Sequence, residues 1–303
     1  MLIIKDASTL CWQIDAADNG RELKYILKGP INLSGSMVKE IKNHGGLLLD
    51  GEPVYTNVRV AEGNIVTILL NCCNEPTEIE AENIPLSILY EDDALVIIDK
   101  PSNMVVHPAG EHINGSLANG LIQHYKEKGI STKVRPVSRL DKDTTGIIIF
   151  ARNRFIQEQL TLQSKAGIFK KFYRGIVSPP PLDDQGTISM PISRKPDSII
   201  ERHIDINGDI AITHYNVIKR WNDFALVEFR LETGRTHQIR VHCLYSGFPL
   251  VGDTLYNPNQ TDLIGRQALH ACRVSFIHPV THVNIEIESS LPEDMKKGIN
   301  SSL

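Results

Sequence analysis

The sequence predicts a mixed α+β fold on a largely antiparallel sheet, preceded by a small module of two helices and two strands. Three observations carry that reading. Short apolar runs, LVIIDKP at 95–101, GIIIFAR at 146–152 and YRGIV at 173–177, have the length and β-branched content of buried strands. AITHYNVIKR at 211–220 and FALVEFRLE at 224–232 alternate in the manner of half-buried antiparallel strands. Helical segments separate these strands in an irregular order, which indicates α+β.

In chain order, the start MLIIKDASTLCWQIDAADNG lacks a basic lead-in and a long apolar region, and no stretch approaches the roughly 20 apolar residues that cross a bilayer. The chain is therefore expected in the cytoplasm and away from membranes. Arg21 to Leu27 and Ser34 to Asn43 have apolar residues at helical spacing, with Ser34 placed to cap the second helix. Leu47 to Val54 and Val58 to Leu70 read as strands turning at Asp50-Gly51 and Glu62-Gly63. The acidic, proline-punctuated NCCNEPTEIEAENIP then divides residues 1–80 from residues 81–303. Beyond it, helices are expected after Ser116 and before Gly129, over Arg154 to Lys165, and from Thr236 to Ser246 with a stop at Gly247.

A hydrophobic share of 41% and a charged share of 22% exclude a mainly disordered, collagenous or coiled-coil chain. Cysteines 11, 72, 73, 243 and 272 form no CxxC and read as reduced thiols. The net charge of −4 hides an asymmetry: residues 100–174 carry 13 Lys and Arg against 5 Asp and Glu, leaving −12 for the remainder. A basic middle in an acidic chain fits a local anionic partner or a solvated charged surface.

Two polar clusters stand out. SRLDKDTTG, Ser138 to Gly146, runs into an apolar strand, a setting in which Asp141 is either a nucleophile or general base or simply a turn former. GRTHQIRVH, Gly234 to His242, opens a helix on which Arg240 is able to turn its guanidinium fork toward a carboxylate and hold it ionised and oriented. Tyr173 is either an ordinary half-buried ring or one on which a base stacks. Histidines 237, 242, 270, 278 and 282 with Cys243 and Cys272 lack metal-ligand spacing, and no GxGxxG after a strand or GxxxxGK[ST] is present. Neither a metal nor a cofactor is expected.

In order and spacing these segments resemble the RluA/RluD-type family of RNA pseudouridine synthases. The similarity runs through ILYEDDALVIIDKPSNMVVHP, Arg139-Leu140-Asp141 with Thr144-Thr145-Gly146, KKFYRGIV, GRTHQIRVH, GFPLVGDTLY and RQALHACRVSFIHPVT, over roughly residues 86–283. Ser138 stands where many members have His, and Asp99 where Asn is usual. The resemblance implies a catalytic domain of pseudouridine synthase type that detaches uracil at its ring nitrogen and rejoins it through a ring carbon. Asp141 is then the catalytic residue, acting on the anomeric carbon or as a base that makes a glycal. Arg240 is its ion-pair partner, and Tyr173 stacks on the uracil and assists late proton removal.

The implied partner is RNA, ribosomal RNA first and transfer RNA second, bound by a monomer that flips the target nucleotide. Arg139 fills the vacated stack, and the further contacts expected are Lys100, His107, Lys142, Lys171, Arg235 and His237. The amino-terminal module is similar to a small helix-helix-strand RNA-binding domain first seen in a ribosomal protein. Its second helix, however, starts SGSMVKEIK where basic residues are usual, and residues 1–85 hold 7 Lys and Arg against 12 Asp and Glu. It is expected to add little phosphate affinity, so that a chain beginning near Asn83 still modifies RNA. Two other readings stay open: a catalytically silent RNA-binding or assembly factor, and a hydrolase with Asp143 as its second carboxylate.

Overall fold

A computed structural model describes residues 2–70, 78–108, 113–257 and 263–301. The amino-terminal part consists of strands β1 (Leu2–Asp6) and β2 (Thr9–Gln13), helices α1 (Leu23–Lys28) and α2 (Gly35–Asn43), and strands β3 (Leu47–Leu49), β4 (Glu52–Pro53) and β5 (Ile65–Leu69). They form a five-stranded sheet in the order β1-β2-β5-β3-β4. Ser34 caps α2 as the sequence predicts, accepting from the Met37 amide at 3.3 Å. Asp50 and Gly51 both have positive φ, 51° and 91°, as a tight hairpin turn requires. The hairpin β1–β2 is an addition to the expected order of helix, helix, strand, strand. Its turn is held by Asp6, whose Oδ1 accepts from the amide and hydroxyl of Ser8 at 2.7 Å each, so it needs no glycine signal.

The larger part begins with β6 (Ser87–Glu91), β7 (Leu95–Lys100), α3 (Leu117–Glu127), β8 (Arg135–Pro136), β9 (Thr145–Ala151) and α4 (Arg154–Lys165). It continues with β10 (Lys170–Val177), β11 (Gln185–Ser189), β12 (Ile192–Arg194), β13 (Arg202–Ile204), β14 (Ile212–Arg220) and β15 (Ala225–Leu231). It ends with α5 (Gln238–Tyr245), β16 (Leu269–Ile277), β17 (Asn284–Glu288) and α6 (Glu293–Ser301). Eight strands run in the order β11-β14-β15-β10-β16-β9-β7-β6, with β17 beside β16 and β8 beside β9, while β12 and β13 form a separate ribbon. Within the large sheet the β16–β9 pair is parallel and the others are antiparallel.

The apolar runs are strands because both of their faces are covered. Leu95 and Ile97 of β7 and Ile147, Ile149 and Ala151 of β9 enter one core with Phe155, Ile156 and Leu160 of α4. Val96, Ile98, Ile148 and Phe150 point the other way, against Leu117, Leu121 and Tyr125 of α3. Period-2 alternation thus disappears from the sequence although it persists in the pleat. The first core also takes in Leu10, Ile26, Met37 and Ile68, so the amino-terminal module and the large sheet share one apolar interior. Cys72 and Cys73 lie outside the described residues.

Candidate active site

The loop at 139–144 feeds the centre of the large sheet. Its backbone turn is closed by the Thr144 amide on the Asp141 carbonyl at 3.1 Å. Thr145 and Gly146 then pair with His270 and Ala271 across the parallel junction. Gly146 has φ +108°, and a Cβ there would stand 2.2 Å from the Ala271 carbonyl oxygen. Only glycine lets the two strands close at this point, which fixes where the loop ends.

From that loop the half-buried Asp141 faces α5. Its Oδ2 accepts from Arg240 Nη1 at 3.1 Å, and its Oδ1 lies 3.8 Å from His237 Nε2. The fork of Arg240, expected on the catalytic carboxylate, goes elsewhere: Nε and Nη2 each donate to Asp253 at 2.8 Å. Asp253 is only 1% exposed, and its Oδ1 also accepts the amides of Leu255 and Tyr256 at 3.2 Å. The turn that carries it depends on Gly252, whose Cβ would meet the carbonyl oxygens of Arg266 and Ile264 at 2.2 and 2.3 Å. Burial opposes the Arg240 charge, yet the hydrogen bonds and field of Asp253, with Asp141 adding to them, hold its pKa above the ordinary range. Arg240 is therefore a permanent cation locked from behind, with Nη1 turned to Asp141. Asp253 lies in GFPLVGDTLY, a segment with an acidic residue after glycine as its sole signal.

Helix α5 starts at Gln238, two residues later than expected, because His237 has φ +57° and breaks the helical path. Gln238 holds the bend, accepting from Thr233 Oγ1 and the Arg235 amide and donating to the Ile212 carbonyl and Thr213 Oγ1. The His237 ring lies with Nδ1 2.8 Å from Tyr256 Oη, which in turn accepts the Arg202 amide at 2.8 Å. The phenolic proton is thus free for Nδ1, which leaves the ring proton of a neutral His237 on Nε2, toward Asp141. Burial lowers the His237 pKa from 6.5, against the pull of Asp141, so the ring is neutral at pH 7. Burial likewise pushes the Tyr256 phenol up to about 12.

Arg139, Asp141, Tyr173, Arg235, His237 and Arg240 line one open cavity together with Leu231, Leu269 and the start of α5. Tyr173, 6% exposed on β10, has its pKa raised above 10, first by burial and then by Asp141. It stays a phenol at neutral pH, in the cavity wall beside Asp141. Arg139 is exposed at the mouth, and Arg235 is tied to the ribbon end through the Ile210 carbonyl at 3.0 Å.

The remaining expected RNA contacts do not line the cavity. Lys142 and His107 are exposed, and Lys171 is half-buried with Nζ over the Phe169 ring. Lys100 has to be corrected. At 1% exposure it spends its ammonium on the carbonyls of Pro101, Met104 and Lys142, at 2.8, 2.9 and 2.8 Å. Burial lowers its pKa to about 7, while Asp143 and Asp141 pull it upward. Three acceptors match the three donors of the charged form, so Lys100 braces the loop from inside instead of meeting phosphate. The other histidines serve separate neighbours: His242 bonds Thr213 and the Met190 carbonyl, His270 bonds Thr145, and His278 accepts the Val280 and Thr281 amides.

This mixed sheet thus presents, at a basic-rimmed cavity, a carboxylate held by a buried arginine, an arrangement suited to a nucleophile or a general base. Comparison with known proteins supplies the family. Residues 94–245 match the family described as RNA pseudouridylate synthase. The chain is 42% identical over 270 residues to a Bacillus subtilis protein called uncharacterized RNA pseudouridine synthase YjbO, covering 89% of this chain and 95% of that one. It is 38% identical over 255 residues to the ribosomal large subunit pseudouridine synthase D of Nitrosomonas europaea, covering 82% and 74%. The human RNA pseudouridylate synthase domain containing 4 shares the fold, with a TM-score of 0.59 at 23% identity over 71% of this chain and 92% of that one. The chain belongs to the RNA pseudouridine synthase family, as its motifs implied.

Proposed function

We propose that this protein isomerises specific uridines of ribosomal RNA to pseudouridine, with Asp141 as the catalytic residue and transfer RNA as the second candidate substrate. The observation that carries the assignment is the chain Asp141–Arg240–Asp253, which aims one carboxylate into a cavity lined by Tyr173. In the reaction the N1–C1′ and C5–H bonds break and the C5–C1′ and N1–H bonds form, so no redox partner or added group is needed. Asp141 either attacks C1′ or removes the C2′ proton to give a glycal. In both routes it has to be held in place, which is the task of Arg240. Tyr173 offers its ring to the uracil, and Arg139 at the mouth fills the gap left by the flipped nucleotide.

Ribosomal RNA is favoured by the relatives named as ribosomal large subunit pseudouridine synthase D. The proposed setting is the cytoplasm, with the enzyme a monomer that uses neither metal nor cofactor. No helix of the described residues is long and apolar enough to cross a membrane. We further propose residues 1–80 as an accessory module and 81–303 as the catalytic domain. The start of α2 is engaged by α4: Ser34 donates to Glu158 at 2.9 Å, while Arg154 donates to Glu40 at 2.9 Å and to Ser36 at 2.6 Å. A serine pair in place of basic residues thus suits docking better than phosphate binding.

A hydrolase would need a second carboxylate to activate water, and among the described residues Asp141 is the one carboxylate of the cavity lining. A silent binding protein would have no use for a carboxylate facing phosphates. Mapping pseudouridines in cellular RNA with and without the protein tests the reading. Loss of a ribosomal RNA site supports it, loss confined to transfer RNA shifts the substrate, and no lost site overturns it.

A further inference from the structure

We infer that Arg266, anchored by Asp294, is a positioning residue for the catalytic loop, so that helix α6 belongs to the apparatus that aims Asp141. The inference rests on Asp141 as the catalytic carboxylate. Two buried basic side chains hold consecutive carbonyls of the loop. Lys100 takes that of Lys142, and Arg266 Nη1 takes that of Asp143 at 3.1 Å. The same nitrogen reaches the carbonyls of Gln267 and Leu269 at 2.9 and 3.3 Å, at the entry to β16. Arg266 is 8% exposed, so its two other donor atoms need a partner. Asp294, in the first turn of α6, provides it in bidentate form: Nε donates at 2.7 Å and Nη2 at 3.0 Å.

The backbone of residue 266 serves the other half of the site. Its carbonyl oxygen is where a Cβ on Gly252 would collide, and Gly252 precedes Asp253, the residue that locks Arg240. The next residue, Gln267, donates to Thr144 Oγ1 at 3.2 Å. Residues 266 and 267 therefore lie between the loop of Asp141 and the turn of Asp253, and they set the distance across which Arg240 must reach. Helix α6 holds this strap from behind, with Met295 fully buried against Val251, Ile264 and Ala268. A change at Asp294 loosens the Arg266 fork first, then the Asp143 carbonyl, then the aim of Asp141. Neither Arg266 nor Asp294 lines the cavity.

The test uses the full-length enzyme with Arg266→Lys, Asp294→Asn and Asp294→Glu, and Asp141→Asn run in parallel. Single-turnover rates at saturating RNA are measured per folded molecule, with RNA affinity and melting temperature measured separately. A misplacement of the order of 1 Å costs up to about 100-fold in rate, so Arg266→Lys is expected to lose about tenfold or more and Asp294→Asn somewhat less. RNA affinity should change less than about twofold, and Asp294→Glu should recover part of the rate because it restores the fork's partner. Rates per folded molecule equal to wild type overturn the inference, even with a lowered melting temperature, since that is what a purely structural ion pair would give. If Arg266→Lys does not fold, the two Asp294 variants decide by the same criterion. An active Asp141→Asn would instead refute the reading on which the inference rests.

Discussion

Replacing Asp253 by Asn removes the carboxylate on which Arg240 depends, while keeping its size. The site is 1% exposed, and both guanidinium bonds measure 2.8 Å. The amide retains one acceptor but turns an N–H₂ group toward the second guanidinium donor, leaving a buried charge partly unpaired. Breaking a buried pair costs about 3–5 kcal/mol, and the surviving bond puts this variant near about 3 kcal/mol. For a chain of this size about 2–4 °C of melting temperature goes with each kcal/mol, so a fall of about 6–12 °C is expected. Arg240, no longer locked, would hold Asp141 loosely, and a misaimed carboxylate should lower single-turnover pseudouridine formation by about 10- to 100-fold. Calorimetry and a rate assay on the same preparation read both effects. A melting temperature within about 2 °C of wild type, together with a rate within about twofold, would refute the argument that Asp253 carries Arg240.

Acidification should act through His237. Its native pKa is lowered while the unfolded chain titrates near 6.5, so its contribution to stability is complete above that value and shrinks as pH falls below it. Moving from about pH 7 to about pH 5.5 should destabilise wild type more than His237→Asn; His242 and His270, also lowered, act in the same direction in both proteins and cancel in the difference. Equal losses in the two proteins would count against a neutral His237. Deleting residues 1–82 should lower the melting temperature, because the module and the large sheet share one core, a cost not foreseen from charge alone. The salt slope of RNA affinity should stay nearly unchanged, and a much shallower slope would identify the module as a phosphate clamp.

What the sequence revealed and concealed divides along chemical lines. Helices α3 and α4 were legible because their ends are spelled out locally: Ser116 accepts the Asn119 amide and Asn153 the Ile156 amide. Strands β7 and β9 were legible as apolar runs. Strand β16 was hidden although it lies between β10 and β9, because His270, Cys272, Arg273 and Ser275 interrupt its apolar pattern. His270 is buried there through its bond to Thr145, a partner that only the fold brings near. The same limit applied to the site. Asp141, Tyr173 and Arg240 stood in recognisable motifs, but the preference of Arg240 for Asp253 depends on a turn set by Gly252. Lys100 looked like a surface cation because one of its three acceptors, the Lys142 carbonyl, comes from far along the chain.

The central claim is that one carboxylate performs the chemistry, and Asp141→Asn tests it with almost no change in shape. Single-turnover assays on the RNA identified by mapping should show no pseudouridine above the uncatalysed background. RNA affinity should persist, since the exposed cations Arg139, Lys142 and Arg235 remain in place. Turnover by Asp141→Asn at a rate comparable to wild type would contradict the account, whatever happened to binding.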